Sequence, residues 1–158
     1  MIELTLVGVK VELPTNQPIV LLKEKDGERY LPIWIGAVEA TAIAFALQGV
    51  VTPRPMTHDL LKLILDETGI TLDSIAITEL TEGVFYSSIR LRQGGAQFEV
   101  SSRPSDAVAL AVRTEVPIFA SDDVMEEVGI PLREDDDEAE MEKFRVFLEA
   151  VSPEDFRG

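Results

Sequence analysis

Apolar residues alternate along the start of the chain. Leu4 and Leu6 share one parity, and Val7, Val9, Val11 and Leu13 share the other. The alternation predicts a strand over 3–13 with a bulge or bend at Val7-Gly8, where the parity changes. Pro14-Thr15-Asn16-Gln17-Pro18 is turn chemistry. A second strand is expected over 19–25 and a third over 29–35, joined by a tight type I′ turn at Asp26-Gly27. The period then lengthens. Residues 37–47 read as a helix closed by Gly49, and Thr52-Pro53-Arg54-Pro55 as a rigid extended connection. Thr57 is placed as the cap of a helix over 59–67 that stops at Gly69.

The same order then returns. Strands are expected over 71–80, 84–92 and 96–100, separated by Glu82-Gly83 and Gly94-Gly95. A helix over 104–113, a short extended piece over 116–120 and a helix from Ser121 to Gly129 follow. Ile43-Ala44-Phe45-Ala46-Leu47 lies on Val108-Ala109-Leu110-Ala111-Val112 at an offset of 65, and Thr57-His58-Asp59-Leu60 on Ser121-Asp122-Asp123-Val124 at an offset of 64. The expectation is an α+β fold: two β-β-β-α-α repeats, 1–68 and 69–133, forming one compact domain with mostly antiparallel strands. Both second helices open with Ser/Thr-x-Asp, a pattern that supplies capping oxygens to orphan amides.

Beyond the repeats the pattern changes. Residues 134–142 hold seven carboxylates and read as a solvated acidic linker. Met141, Phe144, Phe147, Leu148 and Val151 recur at helical spacing. Residues 143–158 are therefore expected to form a helical tail that docks on its own domain or on a protein partner.

Charge and composition narrow the function. The net charge is −15; residues 134–158 hold ten acids and three bases, which leaves −8 on the rest. That balance counts against nucleic-acid binding through a broad basic face. The chain has no cysteine, so disulfides, thiolate metal sites and cysteine nucleophiles are excluded. No basic leader or long apolar run is visible, and the expectation is a cytoplasmic protein without a membrane span. Walker loops, dinucleotide fingerprints, metalloprotease helices and EF-hand loops are absent.

The chemistry-bearing residues gather at helix starts. Pro104 suits a first-turn position, and Asp106 suits the helix dipole behind it. Arg103 stands just before this Ala-rich helix, where its charge gains nothing from the dipole. Arg103 and Asp106 are either a structural ion pair or half of a polar site. His58, the lone histidine, is either a solvent-facing helix-start residue or a general base, since imidazole ordinarily titrates near working pH. Glu39 is either a dipole partner or an acid built into a site. Glu39, Arg54, His58, Asp59, Arg103 and Asp106 all fall at or near helix starts, which converge if the two halves pair.

Four segments carry a resemblance. They are Leu31-Pro32-Ile33-Trp34-Ile35-Gly36 with Glu39-Ala40; Arg54-Pro55-Met56-Thr57-His58-Asp59-Leu60-Leu61; Glu82-Gly83-Val84-Phe85-Tyr86; and Arg103-Pro104-Ser105-Asp106-Ala107. In order and spacing over 1–133 the chain resembles the bifunctional nuclease domain family, a bacterial domain with plant relatives. The resemblance implies hydrolysis of DNA and RNA by a homo-oligomer, most simply a dimer. Such chemistry needs an activated water, charge stabilisation on phosphoryl oxygens and a proton for the leaving oxygen. Arg54 and Arg103 suit bidentate phosphate contacts, and Glu39, His58, Arg103 and Asp106 suit the catalytic roles. Glu39, Asp59 and Asp106 are the candidate ligands of a divalent cation such as Mg²⁺. Two residues before Arg103, members commonly carry Asp where this chain has Ser101. That departure, the net charge and the apolar tail favour the alternative of a non-enzymatic regulatory or scaffold protein.

Overall fold

The computed structural model describes residues 1–12 and 15–131. The acidic run at 134–142 and the apolar stripe at 143–158 lie outside the described residues. β1 (Ile2–Glu12), β2 (Gln17–Glu24) and β3 (Arg29–Trp34) lead into α1 (Ala37–Gln48) and α2 (Thr57–Thr68). β4 (Thr71–Thr81), β5 (Val84–Gln93) and β6 (Ala96–Ser102) lead into α3 (Pro104–Thr114), β7 (Ile118–Ala120), α4 (Asp122–Val128) and β8 (Ile130–Pro131). The α+β expectation holds, and β1 to β7 and α1 to α4 fall close to where the period and turn residues place them, while β8 is an addition that the pattern does not announce.

Among the described residues eight strands form one sheet in the order β6-β5-β4-β7-β1-β2-β3-β8. Every neighbouring pair is antiparallel except β4 with β7. The three residues of β7 pair with β1 on one side and β4 on the other, and so join the two halves. The expected bulge is present, since the β1–β2 register slips between Leu6 and Gly8. α1 and α3 pack against each other over small side chains, with Ala40, Ala44, Ala107 and Ala111 all buried. An alanine-rich helix lets the backbones approach closely, and that approach explains the lack of bulk in α3.

Two local expectations are corrected. The type I′ turn lies at Glu82-Gly83, where both φ angles are positive (51° and 77°) and the loop between β4 and β5 has two residues. Asp26 and Gly27 do not have positive φ. Their loop has four residues, between Glu24 and Arg29, and an Arg29–Glu24 ion pair spans its base. Thr57 is the first helical residue of α2, not its cap. Met56 is the N-cap, and its amide donates to Asp59 Oδ2 at 3.0 Å. Ser121 does cap α4, accepting from the Val124 amide at 3.2 Å.

Candidate functional site

The first turns of α1, α2 and α3 meet. Each carries a carboxylate at its third helical position: Glu39, Asp59 and Asp106. Such acids sit where the helix dipole favours negative charge. The Arg103 guanidinium spans two of these helix starts. Its Nε donates to Asp106 Oδ2 at 2.9 Å, its Nη2 to Asp106 Oδ1 at 3.2 Å, and its Nη1 lies 3.1 Å from Glu39 Oε1. Behind Asp106, His58 Nε2 lies 2.9 Å from Oδ1. The result is one chain of contacts, Glu39–Arg103–Asp106–His58, built from three helix starts. Gly36 leaves room for it, because a Cβ there would displace the Glu39 carboxylate.

Exposure orders these groups from solvent inward. The Arg103 side chain is exposed, Glu39 and Asp106 are half-buried, and the His58 side chain is only 8% exposed. His58 therefore holds Asp106 from inside and does not face solvent. Burial raises the Asp106 carboxyl, but the hydrogen bonds and charges of Arg103 and His58 outweigh it and hold it below the usual carboxylate range. Arg103 is raised in turn by its hydrogen bond and charge pairing with Asp106, then by Glu39.

Asp59 is turned away from this cluster. Its Oδ1 accepts from Arg113 Nε at 2.6 Å, while Arg113 also donates to the carbonyls of Ala109 and Ala42, each at 3.0 Å. Burial raises the Asp59 carboxyl, but the Arg113 hydrogen bond, the Met56 amide and the Arg113 charge leave it lowered overall. The three carboxylates expected to bind one cation are thus not brought together. Asp59 is held by Arg113, and Arg103 already lies between Glu39 and Asp106. Among the described residues no group of three His, Asp or Glu side chains forms a cation site. Arg54 is exposed and makes no ion pair with these groups. Ser101 sits on the edge strand β6 opposite Ser88, also outside the chain of contacts.

A groove of about 350 Å³ opens beside Arg103. Trp34, Gly36, Val84, Phe85, Arg103 and Ser105 line it, together with Gln17, whose side-chain amide donates to the Ile35 carbonyl at 2.9 Å. Residue types did not single out this groove, because it forms from β3, β5 and two helix starts that are distant in sequence.

A model of the bifunctional nuclease domain matches residues 20–133. The chain belongs to the bifunctional nuclease domain family. An uncharacterized protein of Mycobacterium tuberculosis is 44% identical to it over 99% of this chain and 98% of its own length. Bifunctional nuclease 1 of Oryza sativa subsp. indica is 31% identical over 65% of this chain, and Bifunctional nuclease 1 of Arabidopsis thaliana 29% over 64%. The aligned stretch is 32% of the length of each plant protein. The matched bifunctional nuclease domain contains every member of the Glu39–Arg103–Asp106–His58 chain and most of the adjacent groove. No helix among the described residues is long and apolar enough to cross a membrane.

Proposed function

We propose that this protein hydrolyses phosphodiester bonds of DNA and RNA at the Arg103 cluster. The observation that carries the reading is the exposed guanidinium at the start of α3, held in place by two carboxylates and set beside uncapped helical amides. A phosphate there meets the positive end of a helix dipole and an arginine fork. Membership of the family, with its relatives named bifunctional nucleases, supports the same chemistry.

Roles follow from position. Arg103 binds the phosphoryl oxygens and neutralises the charge that builds on them during attack. Asp106 is a firm anion whose two oxygens fix the Arg103 fork, and its lowered carboxyl makes it a poor base. Glu39 meets only Arg103 among the described residues, so it is the carboxylate left to take a proton from the attacking water; as the new P–O bond forms, the P–O bond to the leaving oxygen breaks and that oxygen takes its proton from solvent. His58 is a positioning residue that acts through Asp106. A divalent cation held by Glu39 and Asp106 would take the place that Arg103 fills between them, so this proposal gives the neutralisation of phosphoryl charge to Arg103.

The test uses purified full-length protein with labelled DNA and RNA oligonucleotides in Mg²⁺, in Mn²⁺ and in chelator. Wild type is expected to cut both. Glu39→Gln is expected to keep its melting temperature and lose roughly 10²-fold or more in rate. Absence of wild-type cleavage in every condition overturns the reading. It would favour instead an interaction protein, for which α2 offers exposed Leu60, Leu61, Leu63 and Ile64.

Homo-oligomerisation belongs to the same proposal. The exposed apolar residues of α2 are surface that a second copy would shield from water. Light scattering at micromolar concentration is expected to give a multiple of the 17.4 kDa chain mass, and the single-chain mass overturns it.

A further inference from the structure

The lining of the groove beside Arg103 is of two chemical kinds. Trp34, the last residue of β3, is 53% exposed and lines the groove with Val84 and Phe85. A half-exposed indole leaves a large apolar face in water, and its flat face suits stacking. The start of α3 lines the same groove: Ser105 is 6% exposed, its hydroxyl makes no hydrogen bond to any described residue, and Arg103 adjoins it. An aromatic face together with a cation, an open hydroxyl and helical amides matches the base and phosphate of one nucleotide.

We propose that this groove binds one nucleotide unit of single-stranded nucleic acid, with the base stacked on Trp34 and the phosphate against Arg103 and Ser105. The inference rests on the nuclease reading and names its substrate class. Bases inside a duplex are already stacked on both faces, so only an unpaired or extruded base lies flat on an indole. Local charge points the same way. Glu39 and Asp106 already face Arg103, so the phosphate competes with two carboxylates, and the chain offers no broad basic surface. Stacking therefore carries much of the affinity. It also makes the site tolerant of base identity and of sugar, because every base has a flat face.

Trp34 is the only tryptophan, so selectively excited tryptophan fluorescence reports on this groove alone. The probe is a six-nucleotide single-stranded oligo-dA with wild-type protein in chelator, and a self-complementary duplex of equal length is the control. The single strand is expected to quench Trp34 saturably and the duplex much less. Trp34→Ala is expected to weaken binding of the labelled single strand and raise its KM by roughly 10- to 100-fold. Its melting temperature should stay near that of wild type, since the side chain is half exposed. Trp34→Phe should recover part of the loss, and Ser105→Ala should weaken binding several-fold. Silent Trp34 fluorescence, equal response to duplex and single strand, or wild-type binding and KM in Trp34→Ala would each overturn the proposal. Quenching without any cleavage would sink the nuclease reading and leave the nucleotide groove standing. Cleavage with silent Trp34 would do the reverse.

Discussion

Asp59→Asn is expected to cost about 2–3 kcal/mol of stability and to lower the melting temperature by roughly 5–10 °C. The reason is Arg113, whose side chain is 7% exposed and bridges three helices. Two of its bonds go to neutral carbonyls, so Asp59 is the anion that balances it among the described residues. Removing one partner of a buried pair strands the other charge, which ordinarily costs about 3–5 kcal/mol. The figure is set lower here because Asp59 is 37% exposed and water shares in solvating the site. Its pH dependence has a definite sign. The folded carboxyl is lowered, so between its folded and unfolded values the unfolded chain binds more protons and stability rises with pH. The contribution is complete above the unfolded value near 4 and fades as pH falls through the folded one. Thermal melts at pH 7 and at pH 3 check this, since the gap between wild type and Asp59→Asn should narrow in acid. Equal melting temperatures at pH 7 would refute the role. Asp59→Leu with Arg113→Met should recover much of the loss, because replacing a buried pair by apolar groups is often near neutral.

The largest expected effect on activity is at Arg103. Arg103→Ala should lower kcat/KM for oligonucleotides by roughly 10²–10³-fold, the usual cost of losing a charge-stabilising donor. Stability should barely change, since exposed ion pairs contribute about 0–1 kcal/mol. Arg103→Lys should rescue little. An ammonium is a point charge and does not reproduce a fork that meets both Asp106 oxygens while reaching Glu39. Steady-state rates beside melting curves test this, and a stable Arg103→Ala enzyme cutting at the wild-type rate would remove Arg103 from the mechanism.

The order of elements was legible because each is announced locally. Alternation marks β1 to β6, Pro104 and Ser121 mark helix starts, and Gly49 and Gly69 close helices with the left-handed residues such ends favour. Convergence of the helix starts was also legible, since the polar residues all fall there. Partner choice was not. Asp59 and Asp106 look equivalent along the chain, yet Arg113 holds one and Arg103 the other, and only packing of α2 across α3 decides which. His58 reads as either a solvent-facing helix start or a general base, and the same packing buries it against Asp106. Turn type escaped for a similar reason. Asp-Gly is the better type I′ pair, but β2 ends at Glu24 and β3 begins at Arg29, which leaves a four-residue loop, whereas β4 and β5 stay paired up to Glu82-Gly83.

β7 has a consequence for how the chain reaches this state during synthesis. Translation delivers β1 to β3 first and β4 to β6 next, yet β1 and β4 do not touch as sheet neighbours until Ile118–Ala120 enters between them. The strand that closes the seam thus follows all six strands it must join in chain order. Until then β1 and β4 each present an open edge of unpaired amides and carbonyls. The sheet is incomplete until β7 is in place, and that closure depends on long-range contacts.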